Sequence, residues 1–390
     1  MSLRDITGPL MARTPRCAWA CLLTALLVFF PLFAANAEAG GEEPAALPPD
    51  ADPMPAQGFE PGLLPALAAL VPGLLLHGSG TFVAGDTDTG LLLLAAEGVG
   101  VASAATGLTI LATTGASRKL AGLSVTLTAG GVGLFLTPML ADLYGAAVGG
   151  TEGAPALVNP RAQVTLGYRF IDDPHFEYSS LLASNAQLWL DRWRLGVEGI
   201  VAADDDNQRL RFEGDCRLLG PLAGERDARD GSALDVQLAS TFHSYGTEGF
   251  RTLSFESSVA GRYDLARLGA PLRGSFAEAH LGYGLEWFDY DLPGVPFGED
   301  TSEMLLLGFG WGVYLGAWPG DHGSVALTYD HRRDSYFGGL SSGFIGHFGA
   351  RGEWHLVDEE TDNAWALGAM VKVGSALAAG LDLGYRWGSK

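Results

Sequence analysis

Five charged residues stand two apart at Arg209, Arg211, Glu213, Asp215 and Arg217. On an extended strand that spacing places all five on one face. There they could pair with one another, line an ion path or hold a charged solute. Similar sets recur at Glu278, His280 and Glu286, at Arg351, Glu353 and His355, and at Lys372, Asp382 and Arg386. Both signs stand side by side within these sets, so mutual pairing is favoured over a single-sign selectivity ring. One further carboxylate, Glu97, is alone in the apolar run from Thr87 to Thr113. An ionisable group in such a run is costly, so it is expected to be either functional or fixed by hydrogen bonds.

The elements that must position these charges show a period of two. From Ser275 to Tyr290, the residues Ala277, Ala279, Leu281, Tyr283, Leu285 and Trp287 alternate with Glu278, His280, Gly282, Gly284 and Glu286. One face is thus continuously apolar and the other polar or bare. The same alternation runs from Ala162 to Phe170, from Leu305 to Leu315 and from Leu377 to Trp387. Weaker examples lie near Tyr178–Leu190, Trp193–Ala203, Gln208–Leu219, Ser232–His243, Arg251–Tyr263, Ser324–Arg332, Phe344–Leu356 and Asn363–Val373. About twelve antiparallel strands of roughly ten residues, in even number, suit a transmembrane β-barrel. A soluble β-sandwich would alternate as well. The aromatic residues near strand ends (Trp287, Trp311, Tyr385, Trp387) and the mixture of glycine and charge on the opposite face favour the membrane barrel.

Ahead of the barrel the chain changes character three times. Arg13 and Arg16 precede the apolar run from Ala18 to Phe33, and Ala35-Asn36-Ala37 follows. This is the pattern of a cleavable signal peptide, expected over residues 1–37. Residues 38–60 are rich in proline, alanine and acidic side chains and read as a disordered linker. Residues 61–150 are a Gly/Ala/Leu-rich apolar α-helical segment. It contains a short helix near Leu63–Leu76, a turn through His77-Gly78-Ser79-Gly80, and two long helices near Thr87–Thr113 and Ser117–Tyr144. Arg118 and Lys119 lie between the long helices, with Asp86, Asp88 and Asp142 near their outer ends. The positive-inside rule read alone makes this an inner-membrane hairpin. A barrel beginning so soon afterwards favours instead a helical pair docked on the barrel or plugging it, and the many small residues suit close helix packing.

Composition limits function. The 390 residues carry a net charge of −21, and loss of residues 1–37 leaves 21 basic against 44 acidic residues. Such a chain repels nucleic-acid backbones, so nucleic acid is excluded as a partner. Only Cys216 remains outside the signal segment, so no internal disulfide forms. The histidines show no metal-ligand spacing, and no metal or other cofactor is expected. Gly78-Ser79-Gly80 with Gly85 lacks both the preceding strand and the Lys-Ser/Thr of a phosphate loop.

On these residues, the region 161–388 resembles the Gram-negative outer-membrane β-barrel proteins in general, with no family-specific motif. The resemblance implies an all-β barrel in the outer membrane, with membrane lipid and the barrel-assembly machinery as partners. The turn His77–Asp86 is similar to a Gly-rich helix-turn of exported Gram-negative proteins, which implies no activity. Common outer-membrane barrels end on an aromatic residue, whereas Gly388-Ser389-Lys390 follows Trp387 here. Some outer-membrane lipid hydrolases carry a His-x-Ser-Asn motif. In Phe242-His243-Ser244-Tyr245-Gly246 the histidine and serine are adjacent and therefore point to opposite faces of a strand. That spacing disfavours the hydrolase, which ranks last of three expectations, after a structural or interaction protein with a largely closed charged lumen and a passive channel or transporter for small solutes. Two connections, Asp289–Ser302 and Arg332–Ser342 with Tyr336 and Phe337, are expected at the cell surface.

Overall fold

Alternate positions of the barrel strands carry outward apolar residues, and the sheet closes so that this face forms a continuous exterior. The computed structural model describes residues 59–115, 117, 119–150, 160–173, 179–222, 230–245, 250–290, 298, 300–316, 320–331, 346–358, 361, 363–374 and 376–388. The expected signal segment, most of the linker, Tyr336 and Phe337 lie outside them. Twelve antiparallel strands form one closed barrel, each paired with its sequence neighbours and β1 with β12. They are β1 Ala162–Asp172, β2 Ser180–Leu190, β3 Trp193–Ala202, β4 Gln208–Leu219, β5 Ala233–Tyr245 and β6 Phe250–Asp264. The second half comprises β7 Ser275–Asp289, β8 Asp300–Gly316, β9 His322–Asp330, β10 His347–Asp358, β11 Asn363–Val373 and β12 Leu377–Trp387. Closure pairs Ala162 with Trp387 and removes the free edges that would otherwise expose unpaired backbone in lipid.

An even strand number returns both chain ends to one rim, called here the terminal rim; the opposite one is the loop rim. At the terminal rim, β2 and β3 are joined through Asp191 and Arg192, and Asp191 takes a positive φ of 54°, a conformation aspartate tolerates. Outward side chains such as Leu166, Leu182, Leu238, Phe255, Leu381 and Leu383 are exposed, as a lipid-facing wall requires. Aromatic contacts mark both edges of this wall. Trp365, Tyr385 and Trp387 stack edge to face at 5.1 Å toward the terminal rim, and Phe255 meets Trp287 at 5.8 Å toward the loop rim. These two bands are the interfacial girdles of a membrane barrel.

The helical segment contains α1 Leu63–Leu70, a 3₁₀ turn at Pro72–Leu74, α2 Ser79–Val83, α3 Thr87–Thr114 and α4 Ala121–Val148. The two long helices have 28 residues each. They pack antiparallel through glycine: a Cβ on Gly100 would stand 2.8 Å from the Gly131 carbonyl, and one on Gly107 would stand 2.6 Å from that of Ser124. Such close backbone approach supplies van der Waals attraction between the two helices. Asp86 caps α3 by accepting from the Thr89 amide at 3.0 Å, and left-handed Gly115 and Gly149 end the two helices.

The hairpin docks on the outside of the barrel and does not plug it. Gly133 of α4 lies against the Phe309 ring, with Phe309 Cγ 2.6 Å from a Cβ placed there. Tyr144 packs edge-on against Trp311 at 6.1 Å and donates its hydroxyl to the Arg273 carbonyl at 3.0 Å. Leu93 and Ala141 complete the seam with Leu265, Leu272, Ala277 and Trp311. Phe309, Trp311 and Ala277 belong to the outward apolar face of β7 and β8, opposite in phase to Glu278 and His280. The glycines along α4 give that wall its fit.

Candidate functional site

Inside the barrel the alternate residues meet as charged clusters. Arg351 of β10 reaches across to Glu278 of β7, three strands away, and donates to Oε1 at 2.6 Å and Oε2 at 2.7 Å. A contact between strands so far apart is possible only through the interior. Glu278 also faces Arg262 at 3.5 Å. Arg211 donates to Glu256 at 2.9 and 3.0 Å, to the Thr241 hydroxyl at 3.1 Å and to Glu213 at 2.5 Å. Near the terminal rim Arg194 pairs with Asp215, and Arg217 with Asp235 at 2.5 Å. Arg169 pairs with Asp382 at 2.8 Å. His355 Nε2 stands between Arg386 at 2.5 Å and Glu353 at 2.8 Å. His280 faces Asp330 at 3.6 Å.

The thirteen lumenal positions expected from the sequence therefore share one face, because the register carries that phase around the barrel. Arg209 and Glu286 lie in that phase too, beside His243 and Ser254 on the neighbouring strands. Sequence reasoning named both members of Arg351–Glu278 and of Arg211–Glu213, but missed one partner elsewhere: Arg169, Arg194, Asp235, Glu256, Arg262 and Asp330 were not singled out. Each stood in the polar phase of its own strand, which was the available signal.

Two uncharged layers flank these clusters. Toward the loop rim Ile171, Leu181, Ala183, Ile200, Ala202 and Ala378 form a buried inward cluster with Met370 against it. Toward the terminal rim Phe276, Tyr314 and Ala326 pack together, with the Arg262 guanidinium 4.4 Å over the Phe276 ring. A cation over an aromatic face gains electrostatically from the ring quadrupole. Lumenal glycines make room for these groups: a Cβ on Gly312 would lie 2.9 Å from Phe276 Cε1, and one on Gly310 would lie 3.0 Å from Glu278 Cγ. His243 is inward and fully buried, stacked on Tyr245 at 3.6 Å with Nε2 2.9 Å from Asn207, while Ser244 occupies the other face. The adjacent histidine and serine are thus not assembled into a nucleophile and base.

A second polar cluster lies in the helical segment. The chain from Gly62 to Asp86 rises beside α3 and α4, breaks at His77-Gly78, and returns. Its entry is fixed by Gly62 N to Ala146 O at 3.0 Å and by Glu60 N to Ala84 O at 2.8 Å. At the break Asp142 of α4 accepts three backbone amides, from Gly78 and Gly80 at 3.0 Å and from Thr81 at 2.8 Å. Glu97 of α3 accepts the His77 amide at 2.8 Å. Irregular backbone among apolar helices survives only where protein satisfies its polar groups. Glu97 and Asp142 do this, so the lone carboxylate of the sequence has a hydrogen-bonding role. The His77 ring is fully buried between Phe135, 4.5 Å away, and Glu97, whose Oε2 is 3.8 Å from Nδ1.

A closed antiparallel sheet with a girdled apolar exterior and a charged interior has the fold of the Gram-negative outer-membrane β-barrels. No family model matches the chain, and no curated protein does. Among solved structures, the chain is similar to the NanC porin (9% identity, 57% of this chain and 98% of that one, TM-score 0.36). It is also similar to the translocator domain of the autotransporter NalP from Neisseria meningitidis (9% identity, 59% and 90%, TM-score 0.36). A third is the β domain of the Bordetella autotransporter BrkA (17% identity, 58% and 97%, TM-score 0.34).

Proposed function

We propose that this protein is an outer-membrane barrel with a closed lumen, delivered by a cleaved signal over residues 1–37, that serves as a structural or interaction element instead of a pore. The terminal rim faces the periplasm and the loop rim the exterior, as for an exported chain whose linker remains inside. The observation that carries the reading is the Arg351–Glu278 pair, which spans the lumen as a chord between strands a quarter of the barrel apart. Around it the Arg211–Glu256–Glu213 and Arg217–Asp235 groups neutralise charge locally, and the flanking apolar and aromatic layers narrow both rims. Paired charges present no single-sign ring to a passing ion, and a buried pair is expensive to separate.

The test is conductance in planar bilayers of the purified, heat-modifiable protein. The expected result is none above the bare membrane. Stable single-channel steps from the wild-type protein would overturn the reading in favour of a passive channel for small solutes. Release of fatty acid from phospholipid on incubation would return the hydrolase.

A further inference from the structure

Among the described residues, nothing covers the outer faces of the α3–α4 hairpin, while its inner seam is closed against β7 and β8. Resting on the barrel orientation above, we infer that this hairpin is itself a two-helix span of the outer membrane, its unpartnered face covered by bilayer lipid and its turn exposed at the cell surface.

Depth follows from the docking. The outward apolar run of β8, Leu305 to Leu315, is eleven residues of tilted strand, matching an apolar band about 25 Å tall. Helix α4 is fixed to the same wall by Gly133 at Phe309 and by Tyr144 at Trp311. Its C-terminal end reaches the terminal rim, where the Tyr144 hydroxyl meets Arg273 and Gly145 packs on Leu272. The start of α3 lies at the same rim, because Thr89 is pressed against Gly269. Both helices therefore run upward from the terminal rim. From Tyr144 to Ala121, the first residue of α4, is 23 residues, or about 35 Å at 1.5 Å per residue, and Lys119 lies beyond it. That exceeds the hydrocarbon thickness of about 30 Å, so Lys119 emerges beyond the far boundary.

The chemistry of the outer face agrees. Between Asp88 and Arg118 the only charged residue is Glu97, and within α4 the only one is Asp142; both are buried. Exposed side chains at intermediate depth are apolar, among them Leu91, Leu92, Val99, Val101 and Leu108. The hydroxyls of Thr106, Thr109 and Thr113 donate to carbonyls four residues earlier at 2.7 Å, so they ask nothing of the surroundings. The surface continues the lipid-facing wall of the barrel at the same depth. Gly62 to Asp86 then dips into the periplasmic leaflet, with Leu63, Leu64, Leu74 and Leu75 toward lipid.

Cysteine labelling in a Cys216→Ser background tests the topology with a membrane-impermeant maleimide on whole cells. Ser117→Cys reports the hairpin turn, Asp206→Cys the loop rim of the barrel, and Gly62→Cys the opposite side, each checked for heat-modifiable migration. The expected result is labelling of the first two in intact cells and of Gly62→Cys only after permeabilisation; Lys119→Cys replaces Ser117→Cys should that variant not assemble. Labelling at Asp206 with none at 117 or 119 would overturn the inference and leave the barrel orientation standing. No labelling at Asp206 would overturn the orientation and the inference with it. For the occupant, a fluorophore on Val99→Cys in vesicles should be quenched by brominated acyl chains and not by aqueous iodide. Quenching by iodide, or by neither because a second copy covers the face, would refute lipid contact.

Discussion

Replacing Asp142 by alanine should release the broken segment around His77 and Gly78 without unfolding the barrel. The carboxylate accepts three backbone amides at 2.8 to 3.0 Å and is fully buried. Each orphaned buried amide costs about 1–3 kcal/mol. Removing a buried carboxylate returns part of that cost, because its own desolvation is relieved. The net loss for the three is therefore about 3 kcal/mol in local stability, roughly a 150-fold rise in the open fraction. Hydrogen exchange read by mass spectrometry on peptides spanning Leu76–Ala84 measures it directly. Protection there should collapse, while strand peptides and the heat-modifiable shift stay at wild-type values. Asp142→Asn keeps one acceptor oxygen but turns an NH₂ toward the third donor, so it should fall between the two. Unchanged protection in Asp142→Ala would refute the carboxylate's role, and parallel loss from the strands would refute the independence of the two units.

Three further outcomes follow from the same geometry. Gly131→Leu places a side chain where a Cβ already meets the Gly100 carbonyl at 2.6 Å, so α3 and α4 should separate and become protease-sensitive with the barrel intact. Removing both partners in Glu278→Ala/Arg351→Ala takes away the cross-lumen bridge, and bilayer recordings should show conductance that the wild-type protein lacks. At the turns of the terminal rim, burial pushes the Asp230 carboxyl up, but hydrogen bonds from Arg267 and Ser232 outweigh it and hold the group below the usual aspartate range. Its contribution is thus present above the unfolded aspartate value and lost as pH falls through the folded one. The clasp between these two turns should hold through mild acid and loosen only once pH falls below the ordinary aspartate range, so wild type should gain protease cutting near Asp230 only there, whereas Arg267→Ala should be cut at all pH values.

The barrel was legible because its rule is short. Alternation gave β4 at Gln208–Leu219 and β11 at Asn363–Val373, and strand ends elsewhere moved by a few residues where turns, not the pattern, decide pairing. Lumenal charges were legible one strand at a time, since phase along a strand is local. Their partners were not, because the meeting of Arg351 with Glu278 depends on shear and closure, which no single strand encodes. The inward cluster of Ile171, Leu181 and Ile200 also escaped notice, since apolar residues in the inner phase read as noise when strands are taken separately. In the helical segment, Asp142 passed for a charge marking a helix end, and the His77 turn for a simple connector. Their coupling is a contact over 60 residues of sequence that only the folded hairpin brings together.

On the proposed placement in the membrane, the two halves of the molecule meet one physical requirement in different ways. Lipid cannot solvate a backbone amide or an ionised side chain, so every polar group at membrane depth needs a protein partner. The barrel closes its backbone ladder and turns its charges inward, where arginine and carboxylate satisfy each other. The helical unit closes its backbone within α3 and α4 and spends its two buried carboxylates on the one place where helix is broken. The lumenal charges are therefore exchangeable as pairs, whereas Glu97 and Asp142 serve backbone amides that every residue but proline retains. Side-chain pairs in the lumen should accept joint neutral replacement with little loss of fold, while the two helix carboxylates should not. That difference follows from whether the partner is a side chain or the backbone itself.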